Sequence, residues 1–472
     1  MKRLNRQTVL AARADQPSYD RRAVTAGIVH LGLGNFHRAH QAIYVDDSLA
    51  KDPSWGIVGV SLRRPNMADE LGPQDGLYTL GVQDGAGMRP RIVGSVLEAR
   101  HYGSATEALV ARMAEPAIRL VTLTVTEKGY YRDPASGDLD GDHPDIRADL
   151  ATSAPRTAPG LILAALLRRR AAGLAPFTVL SCDNLPENGQ ALRRVVSQIA
   201  ALRSEADAAW IEGSVAFPSC MVDRIVPHTT DADRATVASV TGLDDAWPVM
   251  TEPFSQWVIE DTFPGGRPTL PGAEFVSDVA PYEAMKLRML NGAHSTLAYL
   301  GQLIGAETVA EAVALPEIRA VIRGLWQEVR PSLDVATDLD GYGDALIARF
   351  ANPALRHRTA QIAMDGSQKL PQRLISTIRD CRAAGHAHPC ATLGVAAWID
   401  YATCGRFSPD DPMSSRFPVG SRDRVEGMLD LRDVFGELGQ EQAFRSEMSA
   451  AVAALSASPT AAIQSLTAQI GS

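Results

Sequence analysis

Through its first half the chain alternates short, almost wholly apolar runs with longer stretches of mixed polarity. Ile28 to Leu31 in TAGIVHLGLGNFHRAHQAIYVDD, the run WGIVGVSL, IRLVTLTVTE (118 to 127) and FTVLSCDN (177 to 184) are apolar through the middle and polar at the C-terminal end. Such runs predict strands buried on both faces of a parallel sheet. Between the last two lies LILAALLRRRAAG, predicted as an amphipathic helix stopped by Gly173. AFPSCMVDRIVP (216 to 227) is a further apolar run, with Asp223 and Arg224 in its middle. From about residue 276 strand-like runs become scarce. Helical spacing takes over at 281–303, 305–329, 341–350, 355–364, 369–384, 391–404 and, with breaks, 423–468. A chain of 472 residues is too long for one ordinary core. The pattern therefore predicts an α/β domain over 1–275 and a mostly α-helical domain over 276–472.

The first strand runs into Gly32 and Gly34, and a helix is predicted to open near Asn35. Strand, glycines, helix is the order of a dinucleotide site, because glycines let backbone amides approach a pyrophosphate and the helix N-terminus favours its charge. His37 occupies the place of the third glycine of G-x-G-x-x-G, so the motif alone is also that of any tight strand-to-helix turn. Where a carboxylate usually binds the adenosine ribose, at the end of the second strand, stand Ser61, Leu62, Arg63 and Arg64. Arginine there suits a 2′-phosphate, which leaves NAD against NADP open. Ligands of open parallel sheets bind beyond the C-terminal strand ends. That rule brings Thr126, Glu127, Lys128, Asp183 and Asn184 towards one crevice. Gly32, Gly34, Asn35, Phe36, Arg63, Thr126 and Glu127 are the candidate cofactor contacts.

A formal charge of −9 gives no basic field for nucleic acid, and no window is long and apolar enough for a membrane helix or a signal peptide. A cytoplasmic location is the expectation. Five cysteines at irregular spacing do not make a disulfide framework, and GHAHPC lacks a second cluster to complete a metal site. No metal is expected.

The stretch YEAMKLRMLNGAH (282 to 294) sets an acid, a lysine, an asparagine and a histidine on an apolar skeleton. At roughly 100° per residue, with Lys286 at zero, Glu283 falls at about 60°, His294 at about 80°, Asn291 at about 140° and Arg288 at about 200°. The first four share one side of a helix. Oxidising an alcohol needs such a face, because a proton must leave the hydroxyl while negative charge on oxygen is held. Solvated polar residues on an outer face would give the same pattern. Tyr282 and Lys286 also form Y-x-x-x-K, but far too late in the chain for a short-chain dehydrogenase, so Tyr282 is read as packing.

Several stretches together resemble the mannitol dehydrogenase family of long-chain polyol dehydrogenases and fructuronate reductases. They are GIVHLGLGNFHRAHQAIY, LTVTEKGYY, FTVLSCDNLPENG, FPSCMVDRIVP, EPFSQWVIEDTFPGGRP, PYEAMKLRMLNGAHSTLAYLG and RFANPALRHRTAQIAMDGSQKLPQR, in order over residues 27 to 373. The resemblance implies a Rossmann-type N-terminal domain, a helical C-terminal domain, NAD as cofactor and a monomer. It implies Lys286 as general base, Asn291 and Asn184 as holders of the oxyanion, His294 as the group orienting substrate and Glu283 as a proton relay. It implies that Asp223 contacts substrate hydroxyls or holds the site together; Arg358 and Lys369 are further candidate substrate contacts. The expected substrate is a polyol, D-mannitol going to D-fructose; D-mannonate, sorbitol and arabinitol remain alternatives. Arg288, His357, Arg358 and Lys369 are the groups able to meet a substrate carboxylate. Arg288 falls outside the arc, which favours a neutral polyol.

Overall fold

The computed structural model describes residues 1–133, 136–152, 154–355 and 357–470; Arg356, inside the helical stretch expected at 355–364, lies outside them. The chain divides into two compact units, Met1–Ala280 and Pro281–Ser472.

Unit 1 is built on a five-stranded sheet. Its strands are β1 (Ala26–Leu31), β2 (Gly56–Val60), β3 (Val96–Arg100), β4 (Leu120–Leu123) and β5 (Thr178–Ser181), in the spatial order β3-β2-β1-β4-β5, every neighbour parallel. The apolar runs are continuous because both faces are covered. Val29, Leu31, Val58, Val60, Val121 and Leu123 point into one core, and Ile28, Ile57, Val96, Leu120 and Leu180 into the other. Two further strands, β6 (Cys220–Asp223) and β7 (Gln256–Glu260), pair antiparallel in a separate sheet, with Gln256 opposite Asp223.

Two helices of unit 1 bear on the site. Helix α1 (Asn35–Ala39) follows β1 directly. Helix α2 (Ala158–Ala171) connects β4 to β5; Thr157 caps it by accepting from the Gly160 N–H at 3.0 Å, and Gly173 beyond its end has φ +68°. The sheet order reverses direction at β1, so β2 and β4 flank it on opposite sides. In open α/β sheets ligands bind at such a switch point.

Unit 2 is helical. Its central elements are α3 (Ala280–Met285, beginning at the last residue of unit 1), α4 (Gly292–Ile304), α5 (Pro316–Val329) and α6 (Pro389–Thr403). Helices α4 and α6 pack together and are buried along most of their lengths. Close approach is possible because Gly394 has no side chain: a Cβ there would stand 2.7 Å from Thr296 Oγ1. Among the described residues no helix is long and apolar enough to cross a membrane.

Candidate functional site

In unit 1 the turn after β1 is dictated by its neighbour. Gly32 has φ +103°, and a Cβ on it would lie 2.1 Å from the Thr124 carbonyl oxygen, so no other residue fits. The Gly32 and Leu33 N–H groups donate to the Val60 carbonyl, and the Thr124 N–H donates to that of Leu31, which carries the pairing past the strand ends. Beyond β4 the chain is held by Asp183. Its carboxylate accepts from the Val125 N–H (3.1 Å), the Thr126 N–H (2.8 Å) and the Tyr130 hydroxyl (2.9 Å). Burial raises the carboxyl's pKa, and these bonds oppose the rise. They also hold Thr126 at φ +65°, a conformation that costs a non-glycine residue about 1–3 kcal/mol.

A cleft of about 460 Å³ opens here, lined by Gly32, Gly34, Arg63 and Thr126 together with Ser61 and Arg156. Its size lies in the range of small-molecule sites, and the cradle at Gly32 suits a pyrophosphate against backbone. The residues present therefore fit a dinucleotide. Three expected contacts do not line it. The Asn35 amide is engaged elsewhere, donating to Thr229 Oγ1 at 3.2 Å and accepting from Arg38 at 2.8 Å. Phe36 stacks on His40 with ring centroids 5.1 Å apart, and Glu127 is exposed on the turn that follows Thr126. His37, in the third glycine's place, stacks on His30 at 3.4 Å between ring centroids. Burial pushes His30 down to about 3 and His37 well below its ordinary value.

Asn184 is exposed just past Asp183, and Asp223 is buried at the end of β6. Arg224 donates to the carbonyls of Ala39 and Glu252, a structural use of its charge.

In unit 2 the expectation of one regular helix over 282–294 is corrected. The α-helical turn ends at Met285, Lys286–Asn291 is a π-helical turn, and α4 resumes at Gly292. The 100° rotation therefore does not apply between Lys286 and Asn291. Single π turns inside helices are often found at functional sites, where the extra residue re-aims side chains. Lys286, Met289 and Leu290 are buried, while Glu283 and Asn291 are half-buried. A second π turn, Pro371–Ile375, carries Arg373, which donates to the Asn291 carbonyl at 3.4 Å and Ser295 Oγ at 3.2 Å. Burial lowers this guanidinium to about 10, its Nε is buried without a partner, and among the described residues no carboxylate pairs with it.

His294 is buried with Nε2 unpartnered, its ring 4.7 Å from that of Phe350 and 5.3 Å from that of His357. Burial first, then the neighbouring His357 and the guanidiniums of Arg349 and Arg373, hold its pKa well below the ordinary value. Arg288 is taken by Asp380 at 2.6 Å. Lys369 donates to the Met364 carbonyl at 2.6 Å and lies 3.7 Å from Asp365; burial lowers its pKa. Arg358 is exposed and His357 half-buried. Among the described residues no group of three or more His, Cys, Asp or Glu side chains is placed to hold a metal ion.

Two family models match the chain in order. One, the Mannitol dehydrogenase Rossmann domain, covers residues 26–272, and the other, the Mannitol dehydrogenase C-terminal domain, covers 278–456. The chain belongs to the mannitol dehydrogenase family. It is thus an oxidoreductase of the polyol dehydrogenase type. Within the family it is 45% identical to the D-mannonate oxidoreductase of Escherichia coli (strain K12), over 89% of this chain and 91% of that one. It is 42% identical to a mannitol 2-dehydrogenase of Cereibacter sphaeroides, over 93% and 96%. Among solved structures it is similar to the Pseudomonas fluorescens mannitol 2-dehydrogenase in ternary complex with NAD and D-mannitol. That likeness has 36% identity, 99% coverage of both chains and a TM-score of 0.83.

Some residues of interest were not singled out as site residues from the sequence. Asp183 carried a signal, a polar residue at a strand's C-terminal end. Arg373 lies in KLPQR beside the expected Lys369, but nothing in its spacing announces a contact with Asn291. Arg156 reaches the cleft from the loop before α2 with no sequence signal at all.

Proposed function

We propose that this protein catalyses the reversible NAD-dependent oxidation of a polyol, D-mannitol, to its 2-ketose, D-fructose. The observation that carries the reading is His294: a buried imidazole with an unpartnered Nε2, eight positions after the buried Lys286 and across a π turn from it. Leaving a polar atom dry and unpaired costs on the order of 1–3 kcal/mol, which a substrate hydroxyl within hydrogen-bond reach removes.

In the proposed roles Lys286 takes the hydroxyl proton and Glu283 passes it towards solvent. Asn291 and Asn184 donate amide N–H groups to the oxygen as charge develops, and His294 orients that oxygen. A neutral imidazole suits the last role, because one ring nitrogen then meets the substrate without carrying a competing charge. Asp223, Arg358 and Lys369 are the proposed contacts to the remaining hydroxyls. The backbone at Gly32 and Gly34 binds the cofactor's phosphates. When bound, the nicotinamide supplies the hydride acceptor.

Of the cations able to meet a substrate carboxylate, Arg288 is engaged by Asp380, which supports a neutral substrate. A second reading, reduction of D-fructuronate to D-mannonate, is supported by Arg373, whose guanidinium has no carboxylate partner among the described residues. It is also supported by the identity to the D-mannonate oxidoreductase. Steady-state rates with D-mannitol, D-sorbitol, D-arabinitol and D-mannonate, and in reverse with D-fructose and D-fructuronate, test the choice. The mannitol reading expects the highest kcat/KM on D-mannitol and D-fructose. A preference of about a hundredfold or more for the uronate, ~2.7 kcal/mol in transition-state binding, replaces it with the second reading.

A further inference from the structure

We propose that the adenosine end of the unit 1 cleft binds the 2′-phosphate of NADP(H) at Arg63 and Arg64, so that the enzyme takes the phosphorylated dinucleotide as well as NAD(H). This rests on the dinucleotide reading of that cleft. In such folds a carboxylate after the second strand accepts from the ribose hydroxyls, and the same carboxylate repels a 2′-phosphate. Here β2 continues into Ser61, Leu62, Arg63 and Arg64, all on the cleft wall, and among the described residues no Asp or Glu lines the cleft.

The nearest acids in sequence are turned to other uses. Asp69 is exposed on the helix Asn66–Leu71 and is not on the wall, and Glu70 pairs with Arg3 at 2.9 Å. Ser61 is fixed from two sides: its N–H donates to the Arg100 carbonyl at 2.8 Å, and His101 Nδ1 donates to its carbonyl at 2.7 Å. The turn that presents the two arginines is therefore anchored to the edge of the sheet. Arg100 and Arg112 nearby are both paired with Glu98. Arg63 and Arg64 are exposed, and among the described residues neither has a carboxylate partner. Arg156 adds a third cation on the same wall. A guanidinium binds a phosphate through charge-assisted, often bidentate, hydrogen bonds, whereas a 2′-hydroxyl offers it neither charge nor a second acceptor.

The test is equilibrium binding by titration calorimetry, without turnover, using adenosine 2′,5′-bisphosphate and 5′-AMP as probes. The parent protein should bind the bisphosphate about tenfold more tightly than 5′-AMP. That advantage should shrink with added salt and vanish in the double variant R63S/R64S, whose affinity for the bisphosphate falls to its affinity for 5′-AMP. Both side chains are exposed, so an unchanged melting temperature serves as the folding control. Equal or weaker binding of the bisphosphate by the parent protein overturns the proposal, and so does an advantage that survives in R63S/R64S. If neither probe binds, and NADH does not either, the dinucleotide reading itself falls and takes the inference with it.

Discussion

The Gly32 cleft of unit 1 and the π segment of unit 2 are made from opposite materials. The cleft is formed by backbone: a glycine at φ +103°, a strained Thr126, and amides pinned by one buried carboxylate, with its cations exposed at the rim. The π segment is formed by side chains, a buried lysine and a buried imidazole set on a helix whose register slips over Lys286–Asn291. On the proposed reading a dinucleotide's phosphates meet main-chain donors whose positions the fold fixes. On the same reading a reacting hydroxyl needs a group that can change protonation state; Lys286 is buried, and His294 is buried beside charged neighbours. Binding and chemistry should therefore be separable by mutation.

The largest break is expected from Lys286→Ala. Removing a general base typically costs about 10²–10⁴-fold in kcat. NADH affinity in unit 1, read by fluorescence titration, should stay as in the parent. Unchanged turnover with an unchanged pH profile removes Lys286 from the mechanism. Gly32→Ala should do the reverse. With a Cβ only 2.1 Å from the Thr124 carbonyl oxygen, it should weaken NADH binding by about tenfold or more and lower stability by about 1–3 kcal/mol in urea denaturation. Normal binding would mean that the turn can relax and the cleft is not backbone-determined.

A pH experiment probes both regions at once. His30, His37 and His294 have native pKa values below their unfolded value. Above about pH 6.5 their neutral forms cost nothing. As pH falls below that, the unfolded chain binds protons the native one does not, and stability is lost, by up to about 1.4 kcal/mol per pH unit for each group. The loss continues down to the native pKa, about 3 for His30. Urea midpoints measured from about pH 7.5 to about pH 5 should fall steadily; a flat profile would mean that these imidazoles protonate in the folded state.

The smallest effect is expected from Arg373→Met. It removes the donor to the Asn291 carbonyl and one of the positive charges near His294. We expect kcat to fall about tenfold, ~1.4 kcal/mol, and the acid limb of its pH profile to move upward as His294 becomes easier to protonate. Arg373→Lys, which keeps the charge, should restore the position of that limb. A loss of stability with no shift in the limb would leave Arg373 a packing residue.

Much of unit 1 was legible in advance because parallel strands buried on both faces write themselves as apolar runs. A turn that excludes every Cβ likewise writes itself as glycine. The strands at Ala26–Leu31, Gly56–Val60 and Thr178–Ser181, and the stop at Gly173, needed only that. Unit 2 was legible as helices but not in its register. YEAMKLRMLNGAH has no proline or glycine before Asn291 to mark a change from α to π winding. The winding changes in a helix packed within its unit, where Met289 receives the Trp326 indole N–H at 2.9 Å and Asn291 receives Arg373. Asn35 shows the same limit in unit 1: position along the chain put it beside the turn, but its amide donates to Thr229, nearly two hundred residues on.

By itself the sequence determined the two kinds of secondary structure, the glycine turn, and which residue types were available for chemistry. These follow from local sterics and the periodicity of burial, which neighbouring residues suffice to specify. Only the tertiary structure decided which of those residues are dry, which cations are already paired, and how the lysine and the imidazole are aimed. Such properties depend on groups brought close by folding from far apart in the chain, as Asp183 meets Thr126 and Arg373 meets Asn291.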